Sequence, residues 1–268
     1  FNNRVAPVQI SWLATCNTTG IDNIDYLISD ENLITENEES LYPEKILKLP
    51  KIWNAHCGFD HKRESYKSPC ETKDYFTFGS FNNFMKINEE VLDNWVNILK
   101  KIKNSKLILK SSLYLCEDVI RKRFDSEGLA DAVEILKKTK RNDFFSHINN
   151  YDKIDLCLDT FPFNGVTTTI EALWKNVPVV TKAGYNFNSR CGESILKNAN
   201  MDNFIAANNE DYINKAVFYA NNIDKLEDVR KKLFEKIEKS SLFDTKAFSG
   251  DFFKALNDMI FQVNKNYK

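Results

Sequence analysis

The sequence predicts an α/β fold with a doubly wound, Rossmann-like parallel sheet, and three observations predict it. From Asp74 onward, short apolar runs alternate with segments of helical periodicity. The runs KLILK, IDLCLD and VPVVT lack the two-residue alternation of a half-exposed strand, so they suit a parallel sheet covered on both faces. Side chains suited to capping open the helical segments, as Asn88 and Asp143 do.

VQISWL (residues 8–13) and IDYLIS (24–29) are short extended runs, separated by the turn formers of TCNTTGIDN. Residues 30–73 carry Pro43, Pro50 and Pro69 with little periodicity and read as connecting structure on a surface. YFTFGSF (75–81) is a strand, followed by a turn over 82–86. Asn88 then caps the helix EEVLDNWVNILKKIKN, which brings Val91, Leu92, Trp95, Ile98, Leu99 and Ile102 onto one face. KLILK (106–110) is a strand, 117–127 a helix ended by Gly128, and AVEIL (132–136) a strand. A helix from Asp143 to Asn150 leads into the apolar strand IDLCLD (154–159). Next come a helix over 167–175, a strand over 177–181, a helix near 189–200 and the strand FIAA (204–207). Three more helices follow, the last over 251–264.

A chain of 268 residues forms one large domain or two unequal ones without covalent staples. Its net charge of −1 argues against nucleic acid or an anionic membrane as the main partner. No apolar stretch approaches the ~20 residues that cross a bilayer. The opening FNNRVAPVQISW has neither the basic start nor the apolar core of a signal peptide. Its abrupt start at Phe1, just before a strand-like run, suggests a piece of a longer polypeptide. The six cysteines form no C-x-x-C pair and read as buried, reduced thiols of a cytoplasmic protein. His56, Cys57 and His61 form a loose cluster without zinc spacing, so no metal is expected.

In a doubly wound sheet, ligands bind at the carboxyl ends of the strands. The strand ending at Asp159 runs through TFPFNG directly into a helix whose first turn is Thr167, Thr168 and Thr169. Free N–H groups and the positive end of the dipole suit a diphosphate there, and Gly165 permits close backbone approach. Glu171 lies one turn inward, where its carboxylate could take two ribose hydroxyls. The plainer alternative leaves the threonines as caps and Glu171 in solvent. FGSFNNFMK (78–86) opens on the same end of the sheet, so Lys86 could offset diphosphate charge with Asn83 donating beside it, or remain a solvated lysine. His147 precedes the strand ending at Asp159, and the pattern alone makes it a surface histidine.

These stretches resemble the catalytic region of the O-linked N-acetylglucosamine transferase family, which includes the SPINDLY-type enzymes (glycosyltransferase family 41). The matching text is RVAPVQISWL, NTTGIDNIDYLISD, LYPEKILKLP, FGSFNNFMKINEEVLDNWVNILK, IDLCLDTFPFNGVTTTIEALWKNVPVVTKAG and SRCGESIL, in order along nearly the whole chain. The resemblance implies a two-lobed GT-B glycosyltransferase. Residues 1–73 would be the end of the N-terminal lobe with a connecting segment, and residues 74–268 the nucleotide-sugar-binding lobe with a terminal helix from about 251.

It further implies inverting transfer of a sugar, N-acetylglucosamine, from a UDP-sugar to Ser or Thr hydroxyls of proteins, without metal or cofactor. Lys86 matches the phosphate-binding lysine that stabilises the leaving group. Asn83, Gly165, Thr167 and Thr168 match diphosphate contacts, Glu171 the ribose ligand and His147 the uracil neighbour. Leu13, Ala14 and Cys16 fall in the sugar-facing loop, where family members carry glycines and a proline. Phe144 stands where some members place a lysine near the uracil, with Lys140 and Arg141 nearby. The resemblance places a histidine-bearing N-terminal lobe upstream, and tetratricopeptide repeats often precede it. A degenerate, non-catalytic nucleotide- or partner-binding module remains an alternative, as does a protein N-glycosyltransferase with another hexose donor.

Overall fold

The computed structural model describes residues 3–13, 17–60, 63, 65–110, 116–137, 139 and 143–266, with side chains as far as 261. It contains two parallel sheets. The smaller has the order β1 (Ile10–Ser11), β2 (Tyr26–Asp30), β3 (Lys45–Leu49). β3 corrects the reading of residues 30–73 as irregular: all five of its residues pair with β2, from Lys45 opposite Tyr26 to Leu49 opposite Asp30. It was hidden because it is an edge strand in which only Leu49 is buried, between Pro43 and Pro50.

The larger sheet holds β4 (Phe76–Ser80), β5 (Ser105–Leu109), β6 (Val133–Ile135), β7 (Leu156–Leu158), β8 (Val179–Lys182) and β9 (Ile205–Ala206). Their order is β6-β5-β4-β7-β8-β9, and every adjacent pair is parallel. The strand order reverses between β4 and β7, which makes their carboxyl ends the switch-point crevice of a doubly wound sheet. Phe78, Leu107, Leu109, Leu156, Leu158 and Val180 form its buried middle. Gly79 in β4 is required by packing, since a Cβ there would lie 2.5 Å from Ile154 Cδ1.

Helices α1 (Glu89–Lys101), α2 (Glu117–Ser126), α3 (Phe144–Ile148), α4 (Thr167–Trp174), α5 (Phe187–Asn198), α6 (Asn209–Asn221) and α7 (Ile223–Lys236) connect and cover the strands. Asn88 caps α1 by accepting from Val91 N at 2.9 Å, and the face predicted from Val91 to Leu99 is buried. Gly128 closes α2 in the left-handed region at φ 71°. The last helix, α8 (Thr245–Asn266), begins six residues earlier than predicted, running through Gly250. That extension places Phe248 and Phe252 one turn apart against Trp12, with ring centroids at 6.0 and 4.6 Å.

The two sheets are joined by directed polar contacts. Arg190 of α5 donates to both carboxylate oxygens of Glu38 at 2.5 and 2.8 Å, and Ser194 donates to Asp30 at 2.6 Å. Burial pushes the Asp30 carboxyl up to about 6, against hydrogen bonds from Ser194, Asn32 and Trp53. The arginine holds Glu38 down at about 2. Among the described cysteines, Cys157 and Cys191 are buried, Cys70 and Cys116 half-buried and Cys57 exposed, so the expectation of uniform burial is corrected. No helix among the described residues is long and apolar enough to cross a membrane.

Candidate functional site

The crevice between β4 and β7 is floored by a carboxylate that pattern reading did not single out. Asp159, just beyond β7 and 1% exposed, accepts at Oδ1 from the backbone N–H of Thr160 (2.8 Å) and Gly165 (2.7 Å) and from Asn82 Nδ2 (3.1 Å). Its Oδ2 accepts from the Thr181 hydroxyl at 2.7 Å. Burial raises its pKa, while the Thr181 hydroxyl, the Gly165 N–H and the nearby charge of Lys86 oppose that rise. The carboxylate folds the loop 160–165 into the shape that starts α4.

At that start, Val166 occupies the N-cap and supplies no side-chain acceptor, so no cap covers the first N–H groups of α4. Thr167 is exposed at this end. The Thr168 hydroxyl donates to Asn82 Oδ1 at 3.0 Å, and Thr169 turns back to the Gly165 carbonyl at 3.1 Å. Gly165 is demanded by crowding: a Cβ would lie 2.5 Å from Thr168 Oγ1 and 2.9 Å from both Asn82 Oδ1 and Thr169 Oγ1. Lys86 crosses from the β4 side, donating to Asn164 O at 2.8 Å with its ammonium 4.1 Å from the Phe163 ring centroid. The structure therefore brings together Lys86, Gly165, Thr167 and Thr168. Asn83 instead caps the short turn Phe84–Lys86, accepting from Met85 N at 3.1 Å, and its neighbour Asn82 makes the bond into α4.

Glu171 lies one turn into α4 and is buried, which overturns the solvent alternative. Its Oε2 accepts from the Tyr151 hydroxyl at 2.9 Å and from His147 Nε2 at 3.0 Å. On the other side of the ring, Lys110 Nζ lies 2.7 Å from His147 Nδ1. An ammonium only donates, so Nδ1 accepts and Nε2 carries the proton toward Glu171. This Lys110–His147–Glu171 line corrects the pattern-based view of His147 as a remote surface residue. α3 is short and stays at the carboxyl end of the sheet, where Lys110 follows β5. Burial lowers the Lys110 pKa, and the charge of Glu171 partly restores it. Lys110 and Asp159 were both legible as charges ending apolar strands at the ligand-bearing edge.

Phe144 is 40% exposed and stacks on Phe59, with centroids 5.4 Å apart. Lys140, Arg141, Ala14 and Cys16 lie outside the described residues. Leu13, beside that loop, takes the left-handed backbone at φ 69°, a strained conformation for a leucine. Beyond the loop, Glu44 anchors Thr18 and Thr19, accepting from Thr18 Oγ1 at 2.8 Å and from Thr19 N at 2.6 Å. His56 accepts from Gly58 N through Nδ1 and stacks on Phe59, while His61 lies outside the described residues. Among the described residues no group of three or more His, Cys, Asp or Glu side chains could hold a metal ion.

Residues 56–252, which span the crevice, match the family described as Glycosyl transferase family 41. The chain belongs to glycosyltransferase family 41. It is 34% identical over 251 residues to the probable UDP-N-acetylglucosamine–peptide N-acetylglucosaminyltransferase SPINDLY of Solanum lycopersicum, covering 92% of this chain and 27% of that protein. It is 30% identical over 260 residues to the corresponding probable enzyme SEC of Arabidopsis thaliana, covering 91% of this chain and 26% of that one. A mutant of the Thermobaculum terrenum O-GlcNAc transferase superposes with a TM-score of 0.88 at 29% identity, covering 99% of this chain and 50% of that one. The parallel sheets are those of the GT-B fold of this O-GlcNAc transferase. The chain spans about a quarter of the length of the curated relatives it matches.

Proposed function

We propose that this chain supplies the UDP-binding lobe of a family 41 glycosyltransferase that moves N-acetylglucosamine from UDP-N-acetylglucosamine to Ser or Thr hydroxyls of proteins. On this reading residues 1–73 are the end of the first lobe and residues 74–268 the nucleotide lobe, working in the cytoplasm with an upstream N-terminal lobe and tetratricopeptide repeats. The observation that carries it is the uncapped start of α4 with Lys86 beside it at the switch point. The family and the names of its relatives supply the sugar and the acceptor class.

In the reaction, the acceptor hydroxyl oxygen forms a bond to the anomeric carbon while the bond to the diphosphate breaks. The hydroxyl proton passes to a base, and UDP departs with the electron pair. Lys86, the α4 N–H groups, Thr167 and Thr168 meet the negative charge that grows on the leaving diphosphate, so no metal ion is required. Asp159 acts behind them by holding the loop in shape. Glu171 receives the ribose, and His147 lies beside the uracil with its ring orientation set by Lys110. Leu13 borders the transferred sugar.

Calorimetric titration with UDP tests the seat. Lys86→Ala should weaken UDP about tenfold or more, the worth of one charge-assisted contact. Equal affinity in wild type and variant would remove Lys86 from the site.

A further inference from the structure

A second cavity, of about 750 Å³, opens at the carboxyl ends of β8 and β9. That is the size of a ligand site, and it lies on the same rim of the sheet as the diphosphate seat. Phe161 and Pro162, from the loop that shapes the seat, form one wall; Tyr185 and Asn208 follow β8 and β9; Glu90 and Glu210 stand at helix starts. Strand order fixes its position relative to the nucleotide. Lys110 with His147 sits at β5, Lys86 at β4, the start of α4 at β7, and the cavity at β8 and β9. Neighbouring strands are roughly 4.8 Å apart, so the cavity lies beyond the diphosphate on the side away from the nucleoside. Arg190 donates through Nε to Gly184 O at 2.9 Å in this wall while gripping Glu38, so the cavity borders the joint with the smaller sheet.

The chemistry left for a ligand there is anionic and aromatic. The Lys182 ammonium is committed to Glu90 Oε1 (2.6 Å) and Asn209 Oδ1 (2.7 Å), and lies 3.9 Å from the Phe161 ring centroid. Glu210 enters no recorded ion pair among the described residues, and Tyr185 is 70% exposed. A first-turn glutamate favours its helix anyway; that it lines the same cavity as the exposed Tyr185 ring is what points to a cation.

We infer that this cavity receives the acceptor polypeptide next to the hydroxyl that is modified, and that it prefers a segment bearing arginine or lysine there. The inference rests on the transferase reading above and names the acceptor class for the same crevice.

Fluorescence anisotropy tests it with a fluorescein-labelled Ser/Thr peptide carrying a central Arg-Arg pair and its Glu-Glu counterpart, each with and without saturating UDP. Wild type should bind the arginine peptide about tenfold more tightly, the scale of an exposed ion pair plus a cation–π contact. Glu210→Lys and Tyr185→Ala should each shrink that ratio and leave calorimetric UDP affinity unchanged. Glu134→Lys, on the opposite edge of the sheet with the same change in net charge, should leave the ratio intact. Equal binding of the two peptides by wild type, or no binding of either, overturns the inference, as does a ratio that survives in both cavity variants. Failure of wild type to bind UDP while the peptide ratio stands would count against the nucleotide reading alone.

Discussion

Gly165→Ala puts one methyl group into a crowded corner of the proposed nucleotide seat. The new Cβ would lie 2.5 Å from Thr168 Oγ1 and 2.9 Å from Asn82 Oδ1 and Thr169 Oγ1, all below any ordinary carbon–oxygen contact. These atoms are not loose ends. Thr168 is bonded to Asn82, Asn82 to Asp159, and Thr169 to the Gly165 carbonyl. Relief therefore requires the start of α4 to move against β4, and overpacking of this kind costs about 1–3 kcal/mol. For a chain of this size that lowers Tm by roughly 2–10 °C. Displacing Thr168 and Asn82 also spoils the diphosphate contacts, and a loss of ~1.4 kcal/mol there weakens UDP about tenfold. Gly250→Ala is the matched control: a Cβ there meets nothing within 4 Å in the middle of α8, and the change should add about 0.5–1 kcal/mol of stability. Calorimetry with UDP and thermal melts on both variants decide the matter. Unchanged UDP affinity in Gly165→Ala, with the protein folded, would refute the close-approach argument and the placement of the phosphates.

Two further outcomes follow from the polar geometry. Lys110→Met removes the donor that holds His147 Nδ1 as an acceptor; ¹⁵N-histidine NMR should show the Nε2–H tautomer in wild type and a mixture in the variant, and an Nδ1–H form in wild type would contradict the Lys110–His147–Glu171 line. For Asp30, the folded pKa of about 6 lies above the ordinary 3.8, so its stabilising share is complete below about pH 4 and is lost as pH rises through 6. The Tm of wild type relative to Asp30→Asn should accordingly rise from pH 7.5 to pH 5, and a constant or shrinking difference would show that burial does not govern this carboxyl.

The larger sheet was legible because its strands are buried on both faces and its helices carry their own start and stop signals, as Asn88 and Gly128 illustrate. β3 was not, because this short edge strand, with one fully buried residue, sits between Pro43 and Pro50 in a stretch without regular periodicity. The threonine-rich start of α4 was the local feature from which a phosphate seat was expected. Its supports showed only as charges ending apolar strands; their roles come from contacts far apart in the chain, 77 positions for Asn82 with Asp159 and 37 for Lys110 with His147. The boundary of α8 was misplaced for a related reason. Gly250 reads as a helix breaker, but the docking of Phe248 and Phe252 on Trp12 outweighs its propensity.

Helix α5 gives the molecule a mechanical property. Arg190 and Ser194 on this one rigid rod grip Glu38 and Asp30 of the smaller sheet, while Gly192 between them lies so close to Thr181 and Asp159 that a Cβ would come within 2.2 and 2.8 Å of their oxygens. The same rod is thus the handle of one body and the backstop of the other's proposed nucleotide seat. On the proposed reading, a swing that parts the two sheets would pull on the handle and be passed to the carboxylate beneath the diphosphate. The separation of the sheets and the hold on a nucleotide would then be coupled through three residues of one helix.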